Sequence, residues 1–545
     1  MGSIEIVLAM LASVVAGGLV VRALPFAVPL PLVQIALGSV IAASTDNPVR
    51  LDPEFFFLLF LPPLLFLDGW LIPKKGLLRD KGMILALALG LVFFTMLGMG
   101  LFIHWMIPAM SMPMAFALAA ILSPTDPVAI SSITERVALP PRAHHVLAGE
   151  SLLNDASGLV CFRFAVAAVL TGSFSLPAAA ITFLWLAIGG VATGILLTGG
   201  LLWLKNLLRI RFGEESGSQV LISLLLPFAA YMTAEELGCS GILAAVSAGI
   251  TMSYIELTGR TEGSTRMQRG AVWDTVQFAL KGVMFVLLGE QLPSIFDSAV
   301  TVVRDTEHSN PAWLALYILA IHFGLTLLRF AWVWISMYVP ALVMRLRGGG
   351  TRKLPGPRIV AAMSLAGVRG AITLAGVLTL PLMLPDGSPF PARGLAILLA
   401  AGVIIMSMLM ANVFLPRLLR GLEMSGEPLQ EQHVDRARVL AAEAAIQAIG
   451  RALDAIPRSA ADASLSAEAA ARVMDLYQRR IQGQAQTGET AARIRRSNEI
   501  ERQIRLTGLR AERETIFALA RSSTLSDEES RRLVREVDLM EERLK

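Results

Sequence analysis

Ser123-Pro124-Thr125-Asp126-Pro127 and, further along, Gly149-Glu150-Ser151-Leu152-Leu153-Asn154-Asp155 put two aspartates and a glutamate inside two consecutive apolar segments. An ionisable side chain near a bilayer centre costs at least about 2.5–3.5 kcal/mol on insertion scales, so such residues are functional candidates by default. Pro124 and Pro127 remove backbone donors on either side of Thr125-Asp126 and interrupt a helix there. At membrane depth a broken helix survives only where its freed carbonyls face a protein cavity or bind something.

The surrounding chain is apolar enough to be a membrane domain. Of 545 residues 54% are hydrophobic and 17% charged, against about 25% charged in a soluble domain. The charge is unevenly spread. Residues 422–545 hold 20 Lys+Arg and 21 Asp+Glu, leaving 27 and 22 for the first 421. The sequence therefore divides into a transmembrane domain, 1–421, and a charged helical tail, 422–545, placed in the cytoplasm. Most basic residues of the first part lie in loops, so no nucleic-acid partner is expected. Cys161 and Cys239 fall in apolar segments and read as free thiols. Ile4–Arg22 lacks a basic n-region and reads as a first span rather than a removed signal.

Segments of about 20 apolar residues can cross a bilayer. Thirteen are expected, at 4–22, 28–44, 54–72, 82–107, 113–134, 144–171, 178–205, 218–236, 239–257, 271–292, 312–344, 357–384 and 391–421. With the N-terminus outside, the inner loops carry 18 Lys+Arg and the outer loops only Arg50, Arg304 and Arg393. That is the asymmetry of the positive-inside rule. Six segments, a linker segment and six more fit an inverted repeat in which the fifth and twelfth correspond. Both are irregular, the twelfth at Gly367-Val368-Arg369-Gly370. Paired interrupted segments in two halves point to a transporter's binding site. Crossed broken helices bring like dipole ends together. Asp126 can compensate the positive ends and Arg369 the negative ends.

On a helix, residues four apart share a face. Ser151 and Asp155 form one such pair in the sixth segment, Glu150 and Asn154 the adjacent one. Carboxylate, hydroxyl, amide and main-chain oxygens are hard donors that suit small alkali cations. A proton and a cation would then compete for Asp155, and competition at one alternately exposed site gives obligatory exchange. Glu150 is expected to pair with Arg329 of the eleventh segment, because Arg369 has its own task at the second break. Arg163 either faces the outer water or pairs within the core. Asp68 either lines the cytoplasmic funnel or contributes a ligand. His104, His144 and His145 read as interfacial. In the tail, Ser526-Asp527-Glu528-Glu529 reads as a helix start with Ser526 as N-cap. Gly483–Gly488 reads as a hinge.

Leu61-Pro62-Pro63-Leu64-Leu65-Phe66, Ser123-Pro124-Thr125-Asp126-Pro127-Val128-Ala129, Gly149–Asp155 and Gly367-Val368-Arg369-Gly370-Ala371 together resemble the monovalent cation:proton antiporter-1 family, the sodium/proton exchangers. The motifs run in the family's order through the whole membrane domain. The tail, with Leu506-Thr507-Gly508-Leu509-Arg510-Ala511-Glu512-Arg513-Glu514, is similar to tails of the bacterial branch. The resemblance implies a homodimer in the cell (inner) membrane, serving pH homeostasis. It implies dimerisation helices at about 4–72 and 178–292, and a mobile core at about 82–171 and 312–421. It implies that Asp155 binds sodium or a proton in turn, with Ser151, Asn154, the main chain of Thr125 and Asp68 completing the site. For the sodium ion itself, Asp155, Ser151 and Thr125 are the implied ligands. Asp126 matches a family residue at the helix crossing and is expected either to compensate the dipoles there or to join the cation- and proton-binding set, and Glu150 with Arg329 matches the family's ion pair. The Asn-Asp order at 154–155 implies electroneutral one-for-one exchange. Asp68 stands one residue away from the acidic position of some relatives, and Lys281 is a charge inside the tenth segment to which no role is assigned.

The expected function is thus exchange of sodium (or lithium) for protons, with no resident cofactor, the ions being cargo. Potassium/proton exchange is a close alternative, because oxygen sites differ there by cavity size. An intramembrane aspartyl protease using Asp126 and Asp155 is a remote one, lacking its Gly-x-Gly-Asp type signature. A membrane sensor is another, and the tail shows no phosphate loop or catalytic cluster.

Overall fold

The computed structural model describes residues 3–25, 28–44, 53–71, 81–126, 141–171, 176–212, 216–256, 263–304, 312–346, 356–420, 427–455, 460–485, 489–522 and 525–544. Their regular elements are helices; the β pairing among the described residues is an isolated bridge between Met383 and Pro389. The chain forms two compact units, Met1–Leu422 and Glu423–Lys545.

In the first unit the helices are α1 (Ser3–Ala23), α2 (Leu30–Ser44), α3 (Pro53–Leu71) and α4, the latter built of Lys81–Leu85, a π turn Ala86–Gly90 and Leu91–Met106. They continue as α5 (Met112–Leu122), α6 (Pro141–Thr171), α7 (Leu176–Phe212), α8 (Ser216–Glu236), α9 (Gly241–Glu256), α10 (Gly263–Arg304) and α11 (Ala312–Leu346). The unit closes with α12 (Pro357–Leu365), α13 (Ala371–Leu378) and α14 (Arg393–Leu419). Seven helices among the described residues are long and apolar enough to cross a membrane, and five shorter ones are apolar.

Several elements differ from the hydropathy reading. α10 is 42 residues long where 271–292 was expected, and α7 runs to Phe212. Hydropathy marks only the apolar middle of such helices, while their polar ends keep helical backbone. Nothing apolar or polar in the sequence marks the π turn of α4. The twelfth segment breaks after Leu365 and resumes at Ala371. Its expected continuation to 384 is instead a turn region, with Gly387 at φ 81°. α5 stops at Leu122 and residues 124–126 are non-helical. The remainder of the expected fifth segment, 127–134, lies outside the described residues.

Close backbone approach builds one group of helices. α9 packs along α3, and α10 along α2. A Cβ at Gly249 would overlap Phe66 O, and one at Gly69 would overlap Val246 O. Gly38 and Gly289 stand in the same reciprocal relation to Val286 O and Ile35 O. Small residues of this kind let membrane helices touch backbone to backbone. Polar bonds fasten the ends. Trp70 Nε1 donates to Glu256 Oε2 at 2.6 Å, Arg269 pairs with Glu256, and Trp273 stacks on Phe66 with ring centroids 5.4 Å apart. α7 packs on α8 and α9 and exposes Ile181, Trp185, Ile188, Leu196 and Trp203.

A second group comprises α4, α5, α6 and α11 to α14. Its centre is packed with small and branched apolar residues such as Ala117, Ala119, Ala120, Val368, Leu374, Ala400 and Ile404.

In the second unit, α15 (Glu427–Ala455) packs on α16 (Ala460–Ala485), and α17 (Glu489–Arg521) on α18 (Asp527–Leu544). Ser526 caps α18 as its sequence implies. The Ser526 hydroxyl and N–H donate to Glu529 Oε2 at 2.8 and 3.0 Å, and Glu529 N–H returns a bond to Ser526 Oγ at 3.2 Å. Arg513 ties α17 to Asp538 at 2.8 Å and to Glu541. α16 was not legible as a separate helix in the sequence. Of the expected hinge, 486–488 lies outside the described residues.

Candidate cation site

α6 carries Glu150, Ser151, Asn154 and Asp155 on successive turns, and all four are buried. The helix closes tightly on the interruption after α5. A Cβ at Gly158 would overlap the Pro124 ring, so glycine is what lets the two meet. Ser151 Oγ donates to the Thr125 main-chain carbonyl at 2.6 Å. Asn154 Nδ2 donates to Thr125 Oγ1 at 3.1 Å and reaches Glu150 Oε1 at 3.5 Å. Asn154 Oδ1 is buried and accepts no hydrogen bond among the described residues. The Asp155 carboxylate lies one residue away and is 3% exposed. Asp68 of α3, Asp126, Lys281 of α10 and Glu150 are the charged groups whose fields reach it.

The two interrupted segments meet beside this cluster. Asp126 N–H donates to Val368 O at 2.7 Å, joining one break to the other. The Asp126 carboxylate packs against Gly370, where a Cβ would overlap it, at the start of α13. Arg369 takes the opposite ends. Its Nε donates to Leu122 O, the last residue of α5, at 3.0 Å, and Nη1 donates to Gly367 O. Its backbone N–H donates to Ser407 Oγ of α14 at 3.1 Å. A carboxylate thus lies at a helix start and a guanidinium at helix ends, as helix dipoles favour.

Glu150 meets Arg329. The guanidinium donates from Nη1 to Oε1 at 2.5 Å and from Nη2 to Oε2 at 2.9 Å, with the side chains 1% and 0% exposed. Arg329 Nε donates to Met363 O in the last turn of α12 at 3.2 Å. The fork therefore satisfies a buried carboxylate and an end of the second broken helix together.

Some partners were invisible in the sequence. Ser157 Oγ donates to Ala88 O at 2.8 Å, and Trp332 Nε1 to Ala86 O at 2.8 Å. Both carbonyls belong to the π turn, whose altered bonding frees them. Arg163 pairs with Glu235 of α8 at 2.9 Å and donates to the Tyr231 hydroxyl at 3.1 Å. His104 Nδ1 lies 2.9 Å from Met110 O. The side chains of His144 and His145 lie outside the described residues.

The chain matches the family model described as "Sodium/hydrogen exchanger, transmembrane" over residues 7–421. It is 39% identical over 539 residues to an Escherichia coli (strain K12) protein described as an uncharacterized Na(+)/H(+) exchanger, covering 96% of this chain and 95% of that protein. A Bacillus subtilis (strain 168) protein named as a sodium, potassium, lithium and rubidium/H(+) antiporter is 42% identical over 418 residues, covering 75% of this chain and 60% of that one. Among solved structures, the sodium proton antiporter MjNhaP1 of Methanocaldococcus jannaschii superposes with a TM-score of 0.55 at 17% identity, over 77% of this chain and 99% of that chain. That likeness concerns the fold.

Proposed function

The chain belongs to the sodium/hydrogen exchanger family, a family of ion transporters and not enzymes, and from that premise we propose that it exchanges sodium (or lithium) for protons by alternating access at Asp155. Membership removes the protease reading of Asp126 and Asp155. The observation that carries the proposal is the Asn154 amide oxygen, buried without a donor among the described residues beside the buried Asp155 carboxylate. A buried polar atom left unpaired costs about 1–3 kcal/mol. A small cation held by Asp155, Asn154 Oδ1, Ser151 Oγ and the Thr125 carbonyl would remove that cost. Asp68 would stand beside this set without being bonded to it. A proton on Asp155 cancels the charge that holds the cation, so each ion displaces the other. One carboxylate carrying either one proton or one monovalent cation gives electroneutral one-for-one exchange. Glu150 and Arg329 satisfy each other and remain a structural pair through the cycle. Asp126 and Arg369 hold the crossing.

The reciprocal glycine pairs support the inverted repeat. If the first six spans map onto the last six, α2 corresponds to α9 and α3 to α10. The α3–α9 contact then maps onto the α2–α10 contact, and each has glycines pressed on the other helix's carbonyls. The same reading gives thirteen spans, an outer N-terminus, a cytoplasmic tail, a homodimer in the cell membrane, and a scaffold of α1–α3 with α7–α10. Potassium/proton exchange is the second reading, favoured by the name of the Bacillus relative.

The test is a pH-dye assay in inverted vesicles. Adding sodium should dissipate a preset proton gradient in the wild type and leave it intact in Asp155→Asn. Sodium-driven exchange that persists in Asp155→Asn would overturn the assignment. Repeating the assay with potassium separates the two readings.

A further inference from the structure

Two sets of bonds divide the helices around the site. Glu150–Arg329, Arg369–Leu122, Ser151–Thr125, Ser157–Ala88 and Trp332–Ala86 all lie within the group of α4–α6 and α11–α14. The glycine contacts and the Trp70–Glu256–Arg269 cluster lie within α1–α3 and α7–α10. Exposing one site alternately to two sides requires one such group to move against the other. Bonds inside a group persist through that motion. A bond between groups must break.

Arg163–Glu235 is a bond between groups. Arg163 is on α6, eight residues beyond Asp155 and so about 12 Å along the helix. Glu235 is in the last turn of α8, and its Oε1 also accepts from Gly241 N–H at 3.2 Å, at the start of α9. The carboxylate is thereby fixed to its own group and presented to Arg163 at 2.9 Å, while Arg163 Nη2 takes the Tyr231 hydroxyl at 3.1 Å. The side chains are 40% and 37% exposed. An exposed pair of this kind shifts an equilibrium by up to about fivefold, enough to bias two states without locking either. The buried fork at Glu150, in contrast, is too costly to open in every cycle.

We propose that Arg163 and Glu235, with Tyr231, form a latch that closes the path on the outer side of the site and opens once in each exchange cycle. The inference rests on the exchanger reading, which supplies the alternation, and on the loop charges, which make this side the outer one.

Cross-linking tests it. In a Cys161→Ala, Cys239→Ala background, Arg163→Cys with Glu235→Cys is joined by a short reducible bis-thiol reagent, and linkage is verified by mass spectrometry. Exchange in sealed vesicles should fall at least tenfold on linkage and recover on reduction. An unchanged rate in fully linked protein would overturn the latch. A second arm needs no cysteine. Arg163→Gln or Glu235→Gln should tighten apparent sodium affinity from the outer side and weaken it from the inner side, each by up to about fivefold. Combining Arg163→Glu with Glu235→Arg should reverse both changes. Equal shifts on both sides, or none, would overturn the proposal. A wild type with no sodium-dependent proton movement defeats the exchanger reading itself; an active wild type indifferent to the cross-link defeats only the latch.

Discussion

Glu150 and Arg329 illustrate how unequal the two halves of a buried pair are when one is removed. Glu150→Ala leaves a guanidinium, 1% exposed, with the Met363 carbonyl as its remaining partner in this network. Removing one member of a buried pair costs about 3–5 kcal/mol, whereas replacing both by apolar groups is often near neutral. The thermal midpoint in detergent should therefore fall sharply in Glu150→Ala and partly recover in Glu150→Ala with Arg329→Met. A double variant as unstable as the single one would show that the penalty lies elsewhere. Residues of this class were legible because an ionisable group in an apolar segment demands a reason. Their partners were legible only when also charged. Arg329 could be anticipated, but Ser157 could not, since its acceptor is a main-chain carbonyl exposed by a π turn that leaves no trace in the side chains. Glu235 and Tyr231 were missed because both sit near a helix end, where polar residues are ordinary.

At the scale of elements, glycine does what hydropathy cannot report. Gly249→Val should disrupt the α3–α9 contact, because the new side chain would enter the space of Phe66 O. Overpacking of this kind costs about 1–3 kcal/mol or more where backbone must shift. The expected outcome is a lowered thermal midpoint, with Gly18→Val, where among the described residues nothing beyond the adjoining residues and the backbone of its own helix lies within 4 Å of the added Cβ, as the matched control. Apolar length alone located most helices and misjudged their ends, since helical backbone outlasts the apolar stretch in α7 and α10. The two breaks were legible from Pro124 and from the Gly367–Gly370 run; their mutual bond, Asp126 N–H to Val368 O, was not, because it joins segments distant in sequence. In the tail the capping pattern at Ser526 was readable and has a pH consequence. The Ser526 N–H, then its hydroxyl, hold the Glu529 carboxyl below the usual glutamate range. A depressed value means the cap contributes fully above that range and is lost as pH falls through the lower folded value. Amide exchange across 526–532 should be slower than in Glu529→Gln at neutral pH, and the difference should be lost only as pH falls below the ordinary glutamate value and through the lowered folded one. A difference independent of pH would assign the protection to helix packing instead.

At the scale of the molecule, the site and the tail belong to separate compact units. The bonds described at the crossing join residues before Leu422, and within the tail Ala442, Ile516 and Val537 are buried. The proposed ion chemistry uses residues of the first unit, and its charge balance is argued from them. In the proposed cycle the moving group carries Asp155 with a proton in one direction and with a monovalent cation in the other. Asp126 and Arg369 travel together, and Glu150 travels with Arg329, so their charges offset in both directions. The loaded group then has the same net charge on both journeys, and no charge is displaced over a full turnover. Had each cycle moved one net charge, a potential of 100 mV would couple to it by about 2.3 kcal/mol, close to a fiftyfold bias. Sodium/proton exchange measured in proteoliposomes should consequently proceed at nearly the same rate with the membrane potential clamped at zero or held at either sign. A rate that changes several-fold on reversing the potential would require a second titrating carboxylate, for which Asp68, within reach of both Lys281 and Asp155, would be the first candidate.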